Sequence, residues 1–572
     1  MSLPRPAILP STVPETRTLT AIQHPLRRAR PVAGTRLALP LAAAALAAGL
    51  GAARAQGTAD DAPRRGGVIQ YGHVQEPPCL YGSWIQQWYL QRQFSDALVA
   101  RRVDGSIAPW LATAWAVSDD RTVYTFEIKP DVSFTDGTPL DAKAVADNFA
   151  LWLGDDPDRR NNAASLYFKE HFTSAEATGP RTVRVTLKRP YAPFLTVLSH
   201  ATLGILSPTA LARGLQANCE RPVGSGPFVV ETWNHGENVV FRRNPNYNSA
   251  PATAKHQGPA YVDGLVWKFL KEPTIRYGSL TAGESDVIYD VPAVDFAEAS
   301  RRFTIVRHIT GGTPQRLQLN TEFPPFDDAR VRRAFAHATD RKGAVAAIFR
   351  GAVPYEGNPV LASSAPDYDA EAAGLYPYDP AAANRLLDEA GWTGRGARGT
   401  RAKDGRPLTV RVAYGGGYLS PDAAQAIEII QEQAREVGFD VQLKPTPQAD
   451  WLAGRNRGPR DYEIIPAYWT ASSAEVFKIS WKPDQGGVRN ANNASRLQSA
   501  EAWDLIQRAD GTADDAARKA LYGQAQRLLA ESAAVIGFVP LPVTLASRPD
   551  LKDVWLSGAV GEPVFHDAWF AR

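Results

Sequence analysis

Residues 109–145 read PWLATAWAVSDDRTVYTFEIKPDVSFTDGTPLDAKAV and carry a strand, a turn and the start of a helix in succession. Tyr124, Phe126 and Ile128 alternate with Thr125, Glu127 and Lys129, the period of a strand with one buried face. The chain then turns through Lys129-Pro130-Asp131, crosses FTDGT (Phe134 to Thr138) and reaches Asp141, a suitable N-cap because its carboxylate can accept from the free N–H groups of a first helical turn. Val145, Phe149 and Trp152 follow at helical spacing. FTDGT therefore belongs to a strand-to-helix loop.

That loop approaches the D-x-D-G-T pattern on which haloacid dehalogenase-type phosphotransferases carry a nucleophilic aspartate. Phe134 stands where the nucleophile is required, and a phenyl ring cannot attack phosphorus. Asp136-Gly137-Thr138 reads instead as a turn, with Asp accepting local backbone N–H bonds and Gly supplying a permissive backbone.

Outward from this block, strands and helices alternate. Val183, Val185 and Leu187 form another half-buried strand, and Asn234-His235-Gly236-Glu237 separates Val229-Val230 from Val239-Val240-Phe241. Gly224-Ser225-Gly226 lacks the third Gly, the Lys-Ser/Thr pair and the following helix of a phosphate loop, so it reads as a tight turn. In the second half, Leu408 to Ala413 is a strand, Ser420-Pro421 opens a helix with Ala423, Ile427, Ile430, Ala434 and Val437 on one face, Gly438 closes it, and Val441 and Leu443 begin the next strand. Asp379-Pro380 starts a further helix with Leu386, Leu387 and Ala390 inside and Gly391 at its end. Parallel, mixed α/β architecture follows.

At 572 residues, with 44% apolar and 22% charged residues, two or three lobes are expected. Arg27, Arg28, Arg30 and Arg36 precede the uncharged run Leu37 to Ala52, which ends at Ala53-Arg54-Ala55; this is the order of an export signal cut after Ala55. The run is shorter than the roughly 20 residues of a spanning helix, which argues against a membrane anchor. The long basic region leaves two origins open, a downstream start or a twin-arginine signal, which Ala29-Arg30-Pro31 fits poorly. No cysteine follows the cut, so no lipid anchor is indicated. Residues 1–55 hold seven Arg and one Glu, so the whole-chain charge of +3 becomes about −3 in the mature form. Nucleic acid and anionic membranes lose their electrostatic warrant as partners. Cys79 and Cys219, alone in the chain and without nearby co-ligands, suit a disulfide in an oxidising compartment or two buried thiols.

The order of these blocks resembles the family 5 extracellular solute-binding proteins, periplasmic components of ABC importers for dipeptides, oligopeptides and nickel chelates. The likeness rests on residues 109–145, VGSGPFVV (Val223 to Val230), RRNPNY (Arg242 to Tyr247), LNTEFPPFDDARVRRAFAHATDR (Leu319 to Arg341) and YDPAAANRLLDEAGW (Tyr378 to Trp392). HQGPAYVDG (His256 to Gly264) is similar to a narrower branch. The resemblance implies a hinge-closing, two-lobed α/β fold of the type II-like periplasmic kind. Lobe I would take 66–313, with an inserted subdomain at about 109–220, and the return segment 538–572; lobe II would take 314–537. It further implies a monomer without cofactor, a permease and an ATPase as partners, and closure as a population shift toward the form in which ligand touches both lobes.

Within Ala467 to Lys478 (AYWTASSAEVFK), Trp469 matches the Trp of a W-x-x-D pattern of peptide-binding relatives, and Ser472 falls where the Asp that grips the peptide ammonium should be. A desolvated ammonium facing a hydroxyl loses its charge partner, so the ordinary dipeptide mode is expected to be lost. Glu475 could replace the Asp only if the loop is re-routed. Trp469, Thr470, Ser472 and Ser473 are thus candidate ligand contacts, Trp469 being equally readable as a lobe-packing aromatic. Tyr81, Ser83 and Trp84 lie where relatives contact ligand, though helix-face core residues read the same way; Gly224 and Ser225 complete the candidates. Arg332 and Arg333 read as a solvated or interlobe helix face. Nine scattered His, none at H-x-x-x-H spacing, argue against direct metal coordination but leave room for a metal chelate held by aromatics and Arg. A secreted hydrolase would need a G-x-S-x-G or H-E-x-x-H motif, and the chain has neither. The same fold would also serve a chemoreceptor-coupled sensor.

Overall fold

The computed structural model describes residues 62–81, 85–156, 161–396, 399–416 and 419–571; the expected export signal, Ser83 and Trp84 lie outside the described residues. The opening block behaves as its pattern dictates. Val123–Ile128 is a strand with Tyr124, Phe126 and Ile128 buried, and Asp141 accepts from the Ala144 N–H at 2.8 Å to cap the helix Ala142–Leu153, whose inner face carries Val145, Phe149 and Trp152. FTDGT is a turn: Asp136 accepts from Thr138 N–H (3.0 Å) and from the hydroxyls of Thr138 and Ser207 (2.6 Å each), while Phe134 is buried in the core.

This strand belongs to an antiparallel sheet of four, ordered Ala112–Val117, Val123–Ile128, Thr182–Leu187, Phe172–Ala177. Its core carries Phe126, Phe149, Trp152, Phe168 and Phe194. The larger sheet of the same lobe has seven strands, ordered Thr304–Ile309, Pro542–Ser547, Val287–Tyr289, Val68–His73, Gly264–Phe269, Asn238–Arg243, Phe228–Asn234. A second lobe is built on five strands, ordered Asp440–Thr446, Thr409–Gly415, Ile464–Trp469, Thr313–Leu319, Val535–Val539. There Thr409–Gly415 and Asp440–Thr446 pair in parallel and are joined through the helix Pro421–Glu436, which Ser420 caps through the Ala423 N–H at 3.1 Å. Its apolar stripe, Ala423, Ile427, Ile430 and Ala434, is buried against the sheet.

The fold is the expected two-lobed α/β one, and the chain passes between the large sheets twice, after Ile309 and after Val539. Gly311 and Gly312 lie in the first crossing, where the backbone presses against the second lobe: a Cβ on Gly312 would sit 2.1 Å from the Trp469 carbonyl oxygen, and one on Gly311 2.4 Å from that of Ser472. Cys79 and Cys219 are disulfide-bonded. Arg332 departs from expectation. It is buried, donating to the carbonyls of Phe326 (2.8 Å) and of Ser532 (2.9 Å), the C-cap of the helix Asp515–Glu531, so only Arg333 faces solvent.

Candidate functional site

The segment after the strand Ile464–Trp469 leaves the second lobe and docks on the first. Trp469 is anchored by its own N–H to Thr313 Oγ1 (2.7 Å), its indole N–H donates to Tyr167 Oη (3.3 Å), and its ring packs against the cores of both lobes. Tyr167 donates in turn to the Thr470 carbonyl at 3.3 Å. Trp469 is therefore a packing aromatic at the junction where the lobes face each other.

Beyond Trp469 the contacts become polar. Ser472 Oγ donates to the Ala559 carbonyl at 2.8 Å and stands 2.7 Å from His200 Nε2. Glu475 accepts from Ser472 N–H and from Ser473 Oγ, both at 2.6 Å, and its Oε1 is 3.5 Å from the same His200 Nε2. The loop folds back on itself and so brings the Glu475 carboxylate beside Ser472, where it is already engaged by Ser472, Ser473 and His200. Burial raises the Glu475 carboxyl, but His200 and the Ser473 and Ser472 donors lower it further, leaving it below the ordinary carboxylate range.

Serine, histidine and glutamate in mutual contact invite comparison with a hydrolytic triad, and the geometry differs from one. A triad needs the acid on the imidazole nitrogen opposite the serine. Here hydroxyl and carboxylate share Nε2, and the serine proton points at Ala559. The arrangement ties two lobes together and activates no nucleophile.

One helical turn further on, Lys478 meets Glu170 at 2.8 Å and Lys482 meets its other oxygen at 2.8 Å, again across the junction. Burial raises the Glu170 carboxyl, and the two ammonium groups more than offset this, holding it at about 2. Burial pushes the Lys478 ammonium down to about 8 against the pull of Glu170.

Trp469, Thr470, Ser472 and Ser473 are thus brought together, whereas Tyr81, Gly224 and Ser225 lie apart from them. Tyr81 is buried in the core of the seven-stranded sheet beside Cys79. Gly224 and Ser225 lie in a dense turn against the end of the helix Ile85–Phe94: a Cβ on Gly224 would stand 2.0 Å from the Phe94 carbonyl oxygen, and Ser225 Oγ donates to buried Asp96 at 3.0 Å. Asp96 also accepts from Ser249 (2.5 Å) and Tyr247 (3.2 Å); burial nonetheless pushes its carboxyl up to about 6. A small cavity nearby, lined by Arg92, Arg101, Trp110, Tyr247, Trp555 and His566, has walls from the first lobe alone. Tyr167, His200, Glu170 and Lys478 form the junction without any signal in sequence, since each becomes a partner only when distant segments meet.

Residues 106–486 match the model for bacterial extracellular solute-binding proteins, family 5 Middle. The chain belongs to this family. It is 28% identical over 484 residues to the nickel-binding periplasmic protein of Escherichia coli K12, covering 82% of this chain and 87% of that one. It is 26% identical over 464 residues to the glutathione-binding protein GsiB of Shigella flexneri, covering 79% and 84%. Among solved structures, NikA from Brucella suis in complex with Fe(III)-EDTA superposes with a TM-score of 0.74 at 26% identity, over 88% of this chain and 99% of the other. Family 5 members are transport binding proteins, and among the described residues no helix is long and apolar enough to cross a membrane.

Proposed function

We propose that this family 5 protein captures a peptide-like or other small organic solute between its two lobes and passes it to a membrane permease driven by an ATPase. The observation that carries the reading is the segment Trp469–Lys478, which belongs to one lobe and makes its polar contacts with Tyr167, His200, Ala559 and Glu170 of the other. A solute entering here touches both lobes and so favours the closed form, the differential contact that a population shift requires. Lobe I is taken as 66–313 plus 538–572 and lobe II as 314–537, with the two crossings as the hinge. Export through the residues 1–55 signal and a periplasmic location belong to the same reading.

Glu475 sharpens the ligand class. Its charge is already taken up by His200 and by loop donors, so it has little left to offer an α-ammonium, and solutes without a free amine are favoured. The 28% identical nickel-binding relative supports a second reading, a metal chelate held by the aromatic and basic groups of the cleft.

A thermal-shift screen of residues 56–572 tests both. Dipeptides, their N-acetyl forms, glutathione, nickel chelates and neutral amides are compared, a ligand at 100-fold its Kd adding about 2.7 kcal/mol. Stabilisation by amine-free solutes or chelates supports the assignment of the cleft. Stabilisation by free-amine peptides alone overturns the role given to Ser472 and Glu475.

A further inference from the structure

The segment Ala250–Gly264 meets the C-terminal tail at a second group of chemistry-bearing side chains, far from the cleft in sequence and built wholly from the first lobe. His256 Nδ1 lies 2.8 Å from Asp567 Oδ1, and His566 Nδ1 lies 3.2 Å from the same oxygen. Each ring turns its other nitrogen to a backbone carbonyl: His256 Nε2 to Pro259 at 3.2 Å, His566 Nε2 to Gly258 at 2.8 Å. The two imidazoles stack, centroids 4.0 Å apart and planes 4° from parallel, and Tyr261 stacks on His256 at 4.1 Å. His566 is 2% exposed and Asp567 fully buried, so the 3.2 Å contact between His566 Nδ1 and Asp567 Oδ1 lies away from solvent.

The carbonyls decide the tautomers. A carbonyl oxygen can only accept, so each Nε2 carries a proton, and in the neutral ring the lone pair is left on Nδ1. Two nitrogen lone pairs and a carboxylate oxygen then face one another, all within 4.8 Å. Asp567 is held in place by donation from Lys255 N–H (3.1 Å) and Trp555 Nε1–H (2.8 Å). With both rings neutral, these three electron-rich atoms would draw a positive centre between them, a place that a cation can fill as well as a proton. Backbone carbonyls that fix the tautomer are also the outer support usual for metal-binding histidines.

We propose that His256 Nδ1, His566 Nδ1 and Asp567 Oδ1 form a structural site for a zinc-class divalent cation, clasping the C-terminal tail to the segment Ala250–Gly264. Two imidazoles and one carboxylate suit a borderline first-row ion and not Mg²⁺ or Ca²⁺, which prefer all-oxygen shells. Loading turns one ring out of the parallel stack, since parallel lone pairs do not converge; His256, 14% exposed, is the freer of the two. The cation here is a clasp within one lobe, independent of any solute in the cleft.

The test uses residues 56–572 without a histidine tag, stripped with chelator and dialysed against zinc, with metal content and calorimetry as readouts. One zinc per chain is expected, with no Mg²⁺ taken up under the same conditions. His256→Gln and His566→Gln should each weaken zinc binding at least tenfold and abolish the zinc-dependent rise in melting temperature, whereas Trp469→Ala should leave both unchanged. Circular dichroism checks folding, and the partly exposed His256→Gln serves if His566→Gln does not fold. Wild-type protein that stays zinc-free, or zinc bound as tightly by both histidine variants as by wild type, overturns the site in favour of a protonated histidine pair held by Asp567. Zinc lost in Trp469→Ala also overturns it, placing the ion in the cleft.

Discussion

The turn at Gly224-Ser225 and the loop Trp469–Glu475 both stood among the candidate ligand contacts, and the structure gives them opposite surroundings. Gly224 and Ser225 lie inside one lobe, where backbone meets backbone and Asp96 is served by three hydroxyls. The loop joins two lobes, and nearly every polar atom in it finds its partner across the junction or within its own fold-back. Small residues in a motif tell of close approach, and only the neighbour reveals whether that neighbour is ligand or chain. On this account the turn carries stability and the loop carries binding.

Four experiments bear on that division. The largest effect should come from opening Cys79–Cys219 in the scaffold half. The pair spans 140 positions, for which chain-entropy reasoning gives about 5 kcal/mol of lost stability, read as a fall in the urea midpoint on reduction or in Cys79→Ser. Gly224→Ala comes next. Its methyl group meets the Phe94 carbonyl, and a loss of about 3 kcal/mol is expected, with ligand preference unchanged in the protein that folds.

Trp469→Ala reverses the pattern. Ligand affinity should fall about 10- to 100-fold by calorimetry, a change of about 1.4 to 2.8 kcal/mol, with a smaller change in melting temperature. The mildest effect is that of pH. Glu170, held at about 2, and Glu475, also depressed, lie below their ordinary value of 4.5 in the joined lobes. Their contribution to closure is fully present above pH 4.5 and is lost as pH falls through the depressed values. Small-angle scattering of the liganded protein should therefore show expansion on acidification toward pH 3, and Glu475→Gln should remove part of that dependence. An expansion that begins above pH 6 contradicts this assignment.

Much of the fold was legible because local chemistry and tertiary need agree along the chain. Period-two burial at Tyr124, Phe126 and Ile128, caps at Asp141 and Ser420, and the stripe Ala423–Ala434 each serve both their own element and the core beyond it. Arg332 was misread because two charges in a row look like a solvated face, while its guanidinium was needed to satisfy carbonyls at the end of another helix. The site was only half legible. Trp469 and Ser472 stood out against the family pattern, but their partners Tyr167 and His200 lie about 300 and 270 positions away, and no spacing rule reaches so far. The same distance hid His256 from His566.

The most direct test of the division is the Kd of one cleft ligand, found in the thermal-shift screen, for wild type, Ser225→Ala and Trp469→Ala. The account predicts that Ser225→Ala binds within about twofold of wild type while Trp469→Ala is weakened at least about tenfold. Weakening by Ser225→Ala with Trp469→Ala unaffected would move the binding surface into the first lobe and contradict it.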